Sequence, residues 1–144
     1  MEGKTIFLMG IKRNGKYDAR WMADACAVLE EENYKGLLQL PDEVMSNEEE
    51  LNAVSDADLV VCWIDKSAQT EKNWTMPHNY GKIFESGKVL YGRAPGMDMT
   101  RHIDWLYEAD YNRKPYTDLR ELLKEAIKTV NEKGKVNMIN KNVY

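Results

Sequence analysis

Six consecutive apolar residues, Leu59–Ile64 (LVVCWI), run directly into Asp65. A strand with one wet face alternates apolar and polar residues, so a run that is apolar at every position reads as a strand covered on both faces, as in the interior of a parallel sheet. The residues downstream supply the crossover that a parallel sheet requires. Pro77 suits the first turn of a helix, Gly87 ends that helix, and Lys88–Tyr91 begins the next strand. Ligands in open parallel sheets sit beyond the carboxyl ends of the strands, so the segment Asp65–Asn79 is where a small molecule is expected to bind.

The rest of the chain follows the same alternation. Thr5–Met9 predicts the first strand and Gly10–Lys16 a polar turn with two glycines. Asp18–Glu32 predicts a helix whose Trp21, Met22, Ala25, Cys26 and Leu29 share one face. Gly36–Leu40 is a short second strand stopped by Pro41. Ser46-Asn47-Glu48-Glu49 has the form of a capping box for a helix running towards Ser55. The last helix has a clear period, with Leu119, Leu122, Leu123, Ala126, Ile127 and Val130 on the side that covers the sheet. These elements predict an α/β, flavodoxin-like or Rossmann-like fold: a mostly parallel five-stranded sheet with helices on both faces. The pocket is expected from Gly10–Tyr17, Asp65–Asn79 and Tyr91–Arg93, all at one edge of the sheet.

Length and charge narrow the partners. With 144 residues and 43% hydrophobic content, the chain can bury one core without metal or disulfide staples. A single domain over residues 1–133 is expected, followed by a polar tail over 134–144. The net charge is −4 and the isoelectric point about 5.3, with no basic block. A nucleic acid duplex, whose binding depends on neutralised phosphates, is therefore not an expected partner. No apolar run approaches the roughly 20 residues of a membrane helix, and Met1–Gly10 is too short for a secretory signal, so no membrane contact and a cytoplasmic location are expected. Cys26 and Cys62 read as small buried apolar residues, His78 and His102 lack metal-ligand spacing, and no cofactor is implied. The Asn73-Trp74-Thr75 sequon carries no meaning without secretion.

Several segments together resemble the nucleoside 2-deoxyribosyltransferases and their relatives, including the N-glycosidases of deoxynucleoside monophosphates. They are TIFLMG at 5–10, the pair Arg20-Trp21, EELNAVSDADLVVCW at 49–63, PHNYG at 77–81, SGKVLYGR at 86–93 and the terminal NVY. The resemblance implies a nucleoside or nucleotide ligand and a homo-oligomer in which the terminal carboxylate, here that of Tyr144, enters a neighbour's pocket. It also implies a nucleophilic glutamate two residues before the glycine of PHNYG. That position is Asn79. A carboxylate near a helix start is stabilised by the helix dipole and can form a glycosyl ester, whereas an amide supplies only hydrogen bonds to a sugar hydroxyl. The pocket is then expected to bind without covalent catalysis. The plainer reading of Asn79 is a residue at a helix start.

The remaining candidates carry paired readings. Glu50 stands where the resembling family has an aspartate that assists proton transfer, but three consecutive glutamates also make an ordinary solvated face. Asp65 is the other carboxylate at the expected site. Gly10, Lys12, Arg13, Asn14 and Tyr17 belong to a loop that offers close backbone approach and positive charge for a phosphate, or a solvated turn. Trp63, Trp74 and Tyr91 suit a wall for a nucleobase, with Trp74 in a polar loop the strongest and the other two also explained as core. Arg20 reaches ligand or solvent, while Trp21 reads as core. His78 and Arg93 complete the binding set. Two functions follow: a protein that binds or sequesters a nucleotide-derived molecule, or an active deoxyribosyltransferase or N-glycosidase using Glu50 or Asp65 as acid or base.

Overall fold

The structure, a computed structural model, describes residues 4–10, 12–13, 16–17, 20–42, 45–64, 74–75, 88–94 and 116–133. In chain order the elements are β1 (Thr5–Met9), β2 (Lys12–Arg13), β3 (Lys16–Tyr17), α1 (Arg20–Glu31), β4 (Leu37–Gln39), α2 (Asn47–Asp56), β5 (Leu59–Ile64), β6 (Trp74–Thr75), β7 (Val89–Arg93) and α3 (Leu119–Lys133). Four strands form an all-parallel sheet in the order β4-β1-β5-β7. This is an α/β, Rossmann-like architecture. The sequence predicts five strands and the described residues form four; beyond β7 the described backbone contributes a parallel bridge between Gly92 and Tyr116. Arg93 N donates to the Tyr116 carbonyl at 2.8 Å, and Tyr116 N to the Tyr91 carbonyl at 3.2 Å.

Every residue of β5 is buried, and Ile6–Met9 of β1 are 0% exposed. Both strands are inner strands, which accounts for their unbroken apolar character. The chain leaves β1 towards β4 on one side and returns across it to β5 on the other. Because such crossovers are right-handed, a reversal of direction sends the two connecting helices to opposite faces. α1 packs with α3, which also lies against β5 and β7, while α2 contacts β1. Trp21, Met22, Ala25 and Leu29 are the buried stripe of α1, and Leu122, Leu123, Ala126 and Val130 that of α3. Cys26 departs from expectation: it is only half-buried at the margin of its stripe, whereas Cys62 is fully buried.

The helix ends are built from local chemistry. Ser46 caps α2 by accepting from Glu49 N at 3.1 Å, while the Glu49 carboxylate accepts from Ser46 N at 2.9 Å. The hydrogen bonds from Ser46 hold the Glu49 carboxyl below its usual range. At the other end Lys88 Nζ donates to the carbonyls of Ser55 and Ala57 at 3.3 and 2.6 Å, placing a cation at the negative end of the helix dipole. α1 ends with Asn33 in the left-handed region at φ 60°, where Asn33 N reaches Glu30 O and Tyr34 N reaches Leu29 O. This double bond pattern is a Schellman motif, and asparagine is one of the few side chains that tolerates it. Asp118 starts α3 by accepting from Glu121 N at 3.2 Å.

Within the segment expected as a polar turn, Lys12–Arg13 is a strand, and Lys16–Tyr17 another. β2 and β3 pair antiparallel, and β6 joins β2 with Arg13 opposite Trp74 and Lys12 opposite Thr75. Two-residue strands leave no periodicity in a sequence, so this small sheet was not predictable from pattern. The helix expected over Pro77–Gly87 and the tail over 134–144 lie outside the described residues.

Ser46→Ala removes one arm of the α2 capping box. Thermal unfolding should report a loss of about 1 kcal/mol, equivalent to a melting temperature lower by roughly 3 °C in a domain of this size. In a Glu49→Ala background the same change should cost less, because the two arms support each other.

Candidate functional site

Strand order reverses between β1 and β5, and the crevice at the carboxyl ends of those strands is the position at which doubly wound folds bind ligands. Gly10 directly follows β1 there. A Cβ built on Gly10 would lie 2.8 Å from the Trp63 carbonyl oxygen and 3.2 Å from Trp21 Nε1, so only glycine lets these three elements meet. Trp21 reaches the spot from the first turn of α1. Trp63 is 4% exposed, and its ring is seated against Gly92, whose Cβ would stand 3.0 Å from the indole carbons. Arg93 pairs in register with Ile64 at the ends of β7 and β5 and is half-buried.

The central polar contact is between Tyr17 and Glu50. Glu50 occupies the first turn of α2, which follows β4 and therefore starts at the same sheet edge. Its neighbours Glu48 and Glu49 are exposed, but Glu50 itself is 0% exposed. The solvated reading of the three glutamates thus holds for the first two and fails for the third. The sequence contains the reason: Glu50 shares a helical face with Ala53, Val54 and Ala57, all buried. Tyr17 donates its phenolic O–H to Glu50 Oε2 at 3.0 Å, fully inside the protein. Burial, followed by the adjacent Glu50 carboxylate, pushes the Tyr17 hydroxyl well above its ordinary pKa of 10. Tyr17 is consequently a neutral donor throughout the physiological range. The bond also crosses between units, because Tyr17 belongs to the small antiparallel sheet and Glu50 to the main α/β body.

The other expected site residues distribute as follows. Lys12 and Arg13 lie on β2, and Trp74 lies on β6 rather than in a loop; these pairings bring the first loop and the segment after β5 together. The Tyr91–Arg93 segment is the end of β7, not a loop, and Tyr91 is 0% exposed. Arg20 opens α1 and is exposed. Asn14, Asp65, His78, Asn79 and Tyr144 lie outside the described residues. Among the described residues no group of His, Cys, Asp and Glu is arranged to hold a metal ion, and no helix is long and apolar enough to cross a membrane. A separate groove of about 420 Å³ runs beside α3, lined by residues that include Glu32, Lys124, Ile127 and Lys128. Its lining mixes the exposed Glu121, Lys124 and Lys128 with the half-buried Glu32, Glu125, Ile127 and Tyr116 and contains neither Gly10 nor Glu50, so it is the weaker candidate.

One group escaped the sequence reading. Trp21 is the core residue that its helical position predicts, but its indole N–H makes no hydrogen bond among the described residues. Periodicity places the ring and says nothing about the N–H.

Comparison of the chain with protein-family models, with curated proteins and with solved structures found no significant match.

The raised Tyr17 pKa fixes a pH dependence. The unfolded chain ionises this tyrosine near 10 while the folded chain holds the proton, so its stabilising contribution is complete below pH 10 and is lost as pH rises above that value. Unfolding measured between pH 9 and 11 should show a slope that Tyr17→Phe reduces, by at most about 1.4 kcal/mol per pH unit for the one proton. An unchanged slope in the variant would mean that the phenol ionises in the folded protein.

Proposed function

We propose that this protein binds a nucleoside- or nucleotide-derived small molecule at the carboxyl edge of its parallel sheet and holds it without cleaving the glycosidic bond. The observation that carries the reading is the buried Tyr17–Glu50 pair beside the switch point of the sheet. A carboxyl group withdrawn from water is costly unless it has partners, and here it stands at the edge where ligands of this architecture bind. The acceptor oxygens of Glu50 suit donors such as sugar hydroxyls or a base amino group. Asn79 in place of the family's nucleophile favours binding over turnover, since an amide forms no glycosyl ester. The same resemblance supports a homo-oligomer whose pockets are completed by Tyr144 of a neighbour. The free thiols of Cys26 and Cys62 fit a cytoplasmic setting.

Cleavage of an N-glycosidic bond is the second reading. Glu50 favours it, because a buried carboxyl in the first turn of α2 matches the acid–base position of the transferases and could activate water with Asn79 orienting the sugar.

Mass spectrometry of molecules retained through purification, with chromatography of deoxynucleosides and their monophosphates after incubation, separates the two. The expected result is an intact bound nucleotide-derived molecule and negligible release of free base. Robust base release that Glu50→Gln abolishes would replace binding with catalysis. Light scattering should report an oligomer at tens of micromolar, and removal of Val143 and Tyr144 should weaken ligand affinity; a monomer with unaltered affinity would remove the assembly from the proposal.

A further inference from the structure

Beside Gly10, at the carboxyl edge of the sheet, lies a buried hydrogen-bond donor to which no described residue is bonded. Trp21 is 3% exposed and Nε1 is buried, yet no acceptor among the described residues is bonded to it. Phenylalanine would fill most of the same core volume without burying a polar N–H, and buried donors in folded proteins almost always have partners. The surroundings of Nε1 are also specific. It stands 3.2 Å from where a Gly10 side chain would begin, at the residue that follows β1 beside the switch point. Trp21 lies in the first turn of α1, whose backbone N–H groups likewise have no intrahelical acceptors, and that turn contains no acidic side chain.

We propose that the Trp21 indole N–H is a ligand-recognition donor: an acceptor oxygen of the bound molecule, at the carboxyl edge beside Gly10, completes the hydrogen bond that the described residues leave open. This deepens the binding function above and rests on it. An indole N–H only donates, so the partner must be an acceptor. It carries no charge, so recognition depends on where the oxygen lies rather than on net charge. The oxygen is either one of the sugar or base or one of a phosphate. The polar residues of the crevice then divide their roles, with Glu50 taking donors of the ligand and Trp21 taking an acceptor. Any side chain at position 10 would crowd the indole N–H and the Trp63 carbonyl.

The test uses the full-length protein labelled with nitrogen-15, whose four tryptophans give separate indole N–H signals. The probes are the deoxynucleosides, their 5′-monophosphates and inorganic phosphate. The expected result is a downfield shift of the Trp21 indole signal with at least one probe, and a roughly three- to ten-fold weaker affinity for that probe in Trp21→Phe. A shift with the nucleoside alone assigns the acceptor to the sugar or base. A shift that requires the monophosphate, or that occurs with inorganic phosphate, assigns it to the phosphate. A probe that binds while the Trp21 signal stays fixed, or that binds Trp21→Phe with unchanged affinity, overturns this inference and leaves the binding function standing. Absence of any spectral change with every probe overturns both. If Trp21→Phe does not fold, the indole signal of the unsubstituted protein decides by itself.

Discussion

Burial of β5 on both faces is the constraint from which the rest of the structure follows. Its six residues have no wet side, so the strand must lie inside a sheet that is itself covered above and below. Flanking it with β1 and β7 in parallel satisfies the ladder, and parallel neighbours demand crossovers; those from β1 to β4 and from β4 to β5 carry α1 and α2. α1 and α3 pack together over one face while α2 contacts β1, and α1 and α3 are held to one another at the surface by Arg120, which bonds to Glu31 and to Glu32, the latter at 2.9 Å. Such an exposed pair adds orientation more than stability. The decisive energetic contribution is apolar, about 1.5–3 kcal/mol for each fully buried aliphatic side chain.

The order of the strands then determines where polar chemistry can sit. Since β4 and β5 flank β1 on opposite sides, the connections that leave β1 and return to β5 part company at the carboxyl edge, which is where folds of this topology place their ligand crevice. Position 10, at that edge, is glycine because a side chain there would collide with the Trp63 carbonyl. Glu50 reaches the same edge from α2, and the cost of burying its carboxyl is offset by the Tyr17 hydroxyl. That single bond gives the small β3-β2-β6 sheet a fixed attachment to the main body, so polar burial and loop position are one problem with one solution.

Local signals were legible in the sequence and contacts between distant segments were not. LVVCWI announced an inner strand, Ser46 and Glu49 announced the start of α2, and the leucines of α3 gave its buried face, because each depends on residues within a few positions of one another. The small antiparallel sheet escaped notice because Arg13 and Trp74 become neighbours only through the fold. Glu50 was ambiguous for a different reason. Three identical residues hide which one faces inward, and only the company of Ala53, Val54 and Ala57 distinguishes it. Helical position places the Trp21 ring but says nothing of its N–H, whose lack of an acceptor among the described residues is a property of tertiary neighbours alone.

The two edges of the sheet make opposite use of their polar groups. At the amino edge, Asp58 both accepts from Thr5 N at 2.8 Å and donates its own N–H to the Thr5 carbonyl at 2.9 Å. Tyr34 donates to the Lys4 carbonyl, and with burial and the nearby Asp58 carboxylate its pKa rises to about 12, which keeps it a donor. Lys88 ties the end of α2 to the start of β7. These groups bond to one another and close the edge. At the carboxyl edge the described residues present a glycine in place of a side chain, a buried carboxyl and an indole N–H with no acceptor. A fold selected for stability alone would close both edges in the same way, because buried polar groups and close backbone approaches cost stability wherever they occur. Their concentration at the edge where this topology binds ligands is the physical basis for reading that edge as the working one.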